Sequence, residues 1–148
     1  MNKFVSKHDK GFTLVELLVV IGILTVLFSI VLIAINPSRQ FSQANDTQRR
    51  GDISTFLNAI YQYSADNNNQ VPGGVITSLQ TIASGSGNLD LCTFLVPTYI
   101  EKMPADPTTG YYTNCTDYNT GYTIISSGEN EITISATPEV VKAISITK

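Results

Sequence analysis

Histidine is almost absent from this sequence: the single copy, His8, lies near the start, and none follows Gly11. That removes imidazole acid–base catalysis and imidazole metal ligation from the rest of the chain. Cysteine is scarce as well, and Cys92 and Cys115, so far apart and without histidine, make a poor metal site. No phosphate-cradling loop occurs, and no serine or cysteine stands beside an evident base. Enzymatic activity is therefore the weakest function class; a carboxylate pair such as Glu129 and Glu131 reads as a solvated turn. Positive charge is short too. Three of the nine basic residues and one of the twelve acids precede Phe12, which leaves six against eleven and a net charge of −5 beyond Gly11. Such a balance argues against a basic nucleic-acid groove and leaves only local contacts through Arg49 and Arg50. No catalytic residue, cofactor or metal site is assigned.

What the chain does have is one long apolar run, residues 11–35. Its last 19 residues, 17–35, carry no charge, and as a helix they would measure roughly 29 Å, close to the ~30 Å hydrocarbon thickness of a bilayer. A buried core helix would need surrounding apolar surface that the remainder, rich in Asn, Ser, Thr and Gly, does not supply. The run is read as membrane-spanning. Glu16 is the exception within it, flanked by Phe12, Leu14, Val15, Leu17 and Leu18 with no basic side chain within five residues. A carboxylate in hydrocarbon costs about 2.5–3.5 kcal/mol on insertion scales, so this one either marks the interfacial edge of the span or needs a cation.

The preceding residues supply a source for that cation. Residues 1–11 carry Lys3, Lys7 and Lys10 against Asp9, and the small residue Gly11 comes before the apolar run rather than after it, the reverse of a secretory signal peptide. Cleavage after Gly11 would leave the apolar segment on the protein with a free amine on Phe12, which has a pKa of roughly 7.7–8.0 and is largely protonated near neutrality. Phe12 and Glu16 are four apart, on one helix face. With three lysines before the span and only Arg39 close behind it, the N-terminus is expected in the cytoplasm and the remainder across the membrane.

Taken together, the basic leader and GFTLVELLVVIGIL resemble the class III signal of type IV pilins and pseudopilins. The resemblance implies that a prepilin peptidase cuts between Gly11 and Phe12, that Phe12 is N-methylated, and that Glu16 serves subunit assembly by pairing with an N-terminal amine. It implies a filament subunit whose partners are copies of itself and other pilins, the peptidase/methylase, an assembly platform and ATPase, and membrane lipid before assembly. The expected location is the cytoplasmic membrane and then an extracytoplasmic or cell-surface filament. A pseudopilin of a type II secretion or DNA-uptake system is an alternative within the class, and a monomeric single-span anchored binding protein an alternative outside it.

The rest of the chain reads as one small domain. Asn36-Pro37 ends the span or makes a kink, because proline lacks an N–H and disfavours helical geometry before it. Residues 38–66 form a second helix, with Ile53, Phe56, Leu57, Ile60 and Ser64 along one stripe that would face a core. Gly51 weakens this helix by ~1 kcal/mol relative to Ala. Arg49 and Arg50 read as a solvated face or as partners of Asp46 and Asp52. Asn67 to Asn69 and Pro72-Gly73-Gly74 stop it.

Residues 67–110 read as a connecting loop rather than sheet, with a short strand or helix at 75–83, helical turns at 89–96 and a proline-rich stretch at 95–107. Its Pro-Ala-Asp-Pro, residues 104–107, resembles a segment common in pseudopilin-like proteins. Residues 111–148 read as an antiparallel β-meander with strands near 110–114, 122–126 and 131–136, Asn-Thr-Gly and Ser-Gly-Glu-Asn as the turns, and 140–146 as a last strand or tail. The expected fold class is α+β and pilin-like: leader 1–11, membrane and assembly helix 12–37, extracytoplasmic head 38–148.

Outside the cytoplasm Cys92 and Cys115 are expected to form a disulfide worth roughly 3 kcal/mol, against the alternative of two buried thiols. Asn45-Asp46-Thr47 and Asn114-Cys115-Thr116 match the short N-glycosylation pattern. Some secretion pseudopilins bind calcium near the C-terminus, but Asp117, Asn119, Glu129 and Glu131 match no EF-hand spacing.

Overall fold

The computed structural model describes residues 11–126 and 131–148. The leader expected at the N-terminus, with its lysines and His8, and Glu129 of the carboxylate pair lie outside the described residues, Gly11 excepted. The chain divides into two compact units, Met1–Ser38 and Arg39–Lys148.

In the first unit, helix α1 spans Leu14–Ile35 and none of its residues is buried. Leucine, valine, isoleucine and phenylalanine cover every face, the pattern of a helix surrounded by apolar material rather than one lying half in water. It is long and apolar enough to cross a membrane. Thr13 caps its N-terminus, and the helix ends at Asn36, which takes left-handed backbone angles (φ 46, ψ 79); asparagine is among the few non-glycine residues that reach this region readily. Pro37 opens helix α2, Pro37–Asp66, where its missing N–H leaves no bond unmade.

The second unit packs α2 against an antiparallel sheet. Ile53, Phe56, Leu57, Ile60 and Ser64 are all buried, as their spacing requires. The strands are β1 Gln80–Ala83, β2 Tyr111–Asn114, β3 Asp117–Ser126, β4 Ile132–Ala136 and β5 Ile144–Thr147, with a single helical turn, α3 Cys92–Leu95, between β1 and β2. The ladder runs β1-β3-β4-β5, and β2 pairs with the start of β3. Strand β3 alternates strictly, sending Tyr118, Thr120, Tyr122, Ile124 and Ser126 inward. Tyr118, Tyr122 and Ile124 among them meet α2, α3 and the inward residues Ile82, Ile132, Ile134 and Ile144 in one hydrophobic core. Cys92 and Cys115 form a disulfide with Cα atoms 5.3 Å apart, tying α3 to the β2–β3 turn.

Two expectations change. The stretch 67–110 is not only a connection, because Gln80–Ala83 enters the sheet beside β3 with Gln80 opposite Ile124. Four residues, of which only Ile82 and Ala83 are buried, are too few to display a period of two. Asn119-Thr120-Gly121 is not a turn but lies within β3. The β1–β3 register slips opposite it, forming a bulge in which Gly121 takes φ +75, a conformation glycine adopts without strain. The turn falls instead at Cys115 and Thr116, where Asn114 Oδ1 accepts from Thr116 N at 2.9 Å and from Thr116 Oγ1 at 2.7 Å.

Candidate functional site

At the start of α1 the sequence Thr13-Leu14-Val15-Glu16 forms a capping box. Thr13 Oγ1 accepts from Glu16 N at 3.2 Å, and Glu16 Oε2 accepts from Thr13 N at 2.9 Å and from Thr13 Oγ1 at 2.8 Å. Two amides that a helix start leaves open are thereby satisfied, and the carboxylate is fixed at the helix N-terminus, where the macrodipole favours negative charge. Phe12, just ahead of the cap, is 82 % exposed. Gly11 and Phe12 thus lie ahead of the capped helix rather than on a helix face with Glu16, because α1 begins only at Leu14, and the acid has a donor set before any external cation arrives.

In the second unit the polar centre is Arg49, only 1 % exposed. Its position, four residues before Ile53 and three after Asp46, continues the apolar stripe of α2 with charge. The guanidinium reaches three carboxylates: Nη1 to Asp46 at 2.8 Å, Nε to Asp106 at 2.5 Å and Nη2 to Glu139 at 2.8 Å, with Thr108 Oγ1 also 2.8 Å from Nη2. Asp106 comes from the Pro-Ala-Asp-Pro stretch and Glu139 from the segment between β4 and β5. One side chain therefore fastens α2 to both.

Each acid has further donors. Burial would push the Asp46 carboxyl up, but the backbone amides of Glu139, Val140 and Val141, together with Arg49, outweigh it and hold the group at about 2. Burial likewise opposes ionisation of Asp106, and Arg49 with the Thr108 and Thr109 amides and the Thr108 hydroxyl carries it well below the usual carboxylate range. The Asp106 bond in turn raises the guanidinium above its ordinary value, against the effect of burial. Among the described residues no buried side-chain nitrogen or oxygen lacks a partner, the condition under which a buried ionic cluster is tolerable.

Two glycines let the Asp106 loop lie against β3. Asp106 N donates to Thr120 O at 2.8 Å. A Cβ on Gly110 would overlap Asp106 N and stand 2.6 Å from Thr120 O, and one on Gly121 would fall 2.8 Å from Thr109 Oγ1 and 2.9 Å from Asp106 Cβ. Beside this saddle, Tyr122 donates to Asp52 at 2.7 Å. Burial, then the Asp52 bond, raises the Tyr122 phenol, and burial raises Asp52.

Of the residues singled out from sequence, Gly11, Phe12 and Glu16 are neighbours, Pro37 begins α2, and Cys92 and Cys115 are bonded to each other. Arg49 is neither on a solvated face nor paired with Asp46 alone: the apolar spacing of α2 carries it inward, and a buried cation requires more than one acid. Asp106, Thr108 and Glu139 carry no local signal of that role; the i, i+3 spacing of Asp46 and Arg49 in phase with Ile53 and Phe56 is the one trace of it. Among the described residues no group of three or more His, Cys, Asp or Glu side chains could hold a metal ion.

Residues 6–34 match the prokaryotic N-terminal methylation motif. No curated protein and no solved structure matches the chain. The matched segment, and the apolar helix that it opens, fit the class III signal of type IV pilins and pseudopilins.

Proposed function

We propose that this protein is the structural subunit of a type IV pilus-like filament, cut after Gly11, methylated on Phe12 and polymerised through α1. The observation that carries the reading is the pairing of the methylation motif with a 22-residue helix that has no buried residue of its own. Before assembly, lipid covers those side chains. In a filament, the helices of neighbouring copies do so, and a head-to-tail contact that does not close generates a fibre. Glu16 then meets the methylated amine of Phe12 in a neighbouring copy, an ion pair in a medium of low dielectric where a lone carboxylate is costly. The head lies outside the cytoplasm, in keeping with its disulfide. The peptidase, an assembly platform and an ATPase act on it.

A second reading, a secretion pseudopilin, draws on the Pro-Ala-Asp-Pro stretch that delivers Asp106 to Arg49. Both readings share the same test. Mass spectrometry of protein from the native membrane and from sheared surface fibres should find a chain beginning at N-methylated Phe12, present in the fibres if they are pili. A chain that keeps Met1 while the peptidase is active would overturn both readings in favour of a monomeric anchor.

A further inference from the structure

The sequence contains two N-glycosylation patterns, and the fold separates them. Asn45 lies in the third turn of α2. Its Nδ2 donates to Glu139 Oε1 at 3.0 Å, Thr47 Oγ1 donates to Gln43 O at 2.9 Å, and residues two apart on a helix do not face each other. Neither the nucleophilic nitrogen nor the hydroxyl is free there. Asn114 differs on every count. It is the exposed last residue of β2, at a two-residue hairpin turn. Its Oδ1 accepts from both the amide and the hydroxyl of Thr116, while its Nδ2 makes no hydrogen bond among the described residues.

That geometry has chemical content. A carboxamide nitrogen is a poor nucleophile because its lone pair is delocalised into the carbonyl. As it loses a proton, negative charge gathers on Oδ1. Two donors already aimed at that oxygen stabilise the charge where it develops. The neighbouring Cys115 is disulfide-bonded, an independent mark of an oxidising compartment outside the cytoplasm.

We infer that Asn114 is an N-glycosylation site, the acceptor for an oligosaccharide delivered on a polyisoprenyl diphosphate carrier. Nδ2 forms a bond to C1 of the first sugar, and the C1–oxygen bond to the diphosphate breaks with its electron pair leaving on the carrier. The amide proton passes to a base of the transferase. The inference rests on the reading that the head crosses the membrane.

The test is peptide mass spectrometry of the full chain from its native membrane, reduced, alkylated and cut with trypsin. Asn114 falls in the peptide 103–142, Asn45 in 40–49, and the processed N-terminus in 12–39. The expected result is a glycan mass on 103–142, localised to Asn114 by electron-transfer fragmentation, absent from 40–49, lost in Asn114→Gln and in Thr116→Ala, and kept in Thr116→Ser. A bare 103–142 peptide, a glycan on 40–49, or a mass that survives Asn114→Gln would overturn the inference. Peptide 12–39 reports processing separately, so a methylated Phe12 beside a bare Asn114 rejects the glycan and leaves the filament subunit standing.

Discussion

Replacing Arg49 by methionine keeps most of the side-chain volume and removes the charge on which three acids converge. Breaking a buried ion pair by deleting one partner costs about 3–5 kcal/mol, because the other charge stays buried without compensation. Here the acids left behind keep other donors: Asp46 retains three backbone amides and Asp106 two amides and a hydroxyl. The cost therefore belongs at the lower end, about 3 kcal/mol, and in a domain of roughly 100 residues that lowers Tm by about 12–15 °C. Near-UV circular dichroism of the detergent-solubilised full chain would follow it, since the tyrosines of the core report the head and α1 has none. Arg49→Met combined with Asp106→Leu should recover part of the loss, because an apolar pair strands no charge on the Asp106 side. A Tm within 3 °C of the parent for Arg49→Met alone would refute the claim that the cluster fastens the head.

The same cluster sets an acid dependence whose sign can be worked out. Asp46, at about 2, and Asp106, lower still, both sit below their unfolded values, so the unfolded chain binds more protons as pH falls. Their stabilisation is complete above about pH 5 and is lost as pH falls through 4 towards 2. In Arg49→Met the guanidinium no longer holds the carboxyls down while burial still pushes them up. Stability measured from pH 5 to pH 2.5 should then fall less steeply than in the parent. A steeper fall would mean that the carboxyls sit lower without the guanidinium than with it, and would refute the part given to Arg49 in holding them down.

Glu16→Ala should leave cleavage and methylation intact and abolish fibres in the sheared fraction; fibres at parental yield would remove Glu16 from assembly. Gly121→Ala forces φ +75 on a residue with a side chain and brings its Cβ to within 2.9 Å of Asp106 Cβ, so it should cost at least the 1–3 kcal/mol typical of such backbone strain, read as a Tm loss of 4 °C or more. The pair Cys92→Ser, Cys115→Ser should lose about 3 kcal/mol, and the parent under reductant should melt with it. Gly51→Ala acts in the opposite direction: a Cβ there meets open space, so the helix gains up to about 1 kcal/mol. A lowered Tm in that variant would show that the position is constrained within the chain itself.

Which parts of this architecture could be read from the sequence follows from how local their causes are. The apolar run and the 53-56-57-60-64 stripe each depend on residues close in sequence, and each was legible. For β1 the sequence offered only a short strand or helix at 75–83, and not its place in the sheet, because that is decided by pairing with β3, some 40 residues on. Asn119-Thr120-Gly121 has the composition of a turn, and the fold uses its glycine for a bulge, since β3 has to continue past the Asp106 loop to bring Tyr122 under α2. Arg49 is the instructive case. A charged residue in phase with a helix's buried stripe has either to leave the stripe or to bring its counterions with it, and the sequence displays only the first of these, Asp46, three residues away. Asp106 and Glu139 lie 57 and 90 residues on, and only the closed fold identifies them. The same holds for the two glycosylation patterns, equal matches to Asn-x-Thr and opposite in consequence: one is locked on a helix by Glu139, and the other is presented on a hairpin turn by Thr116.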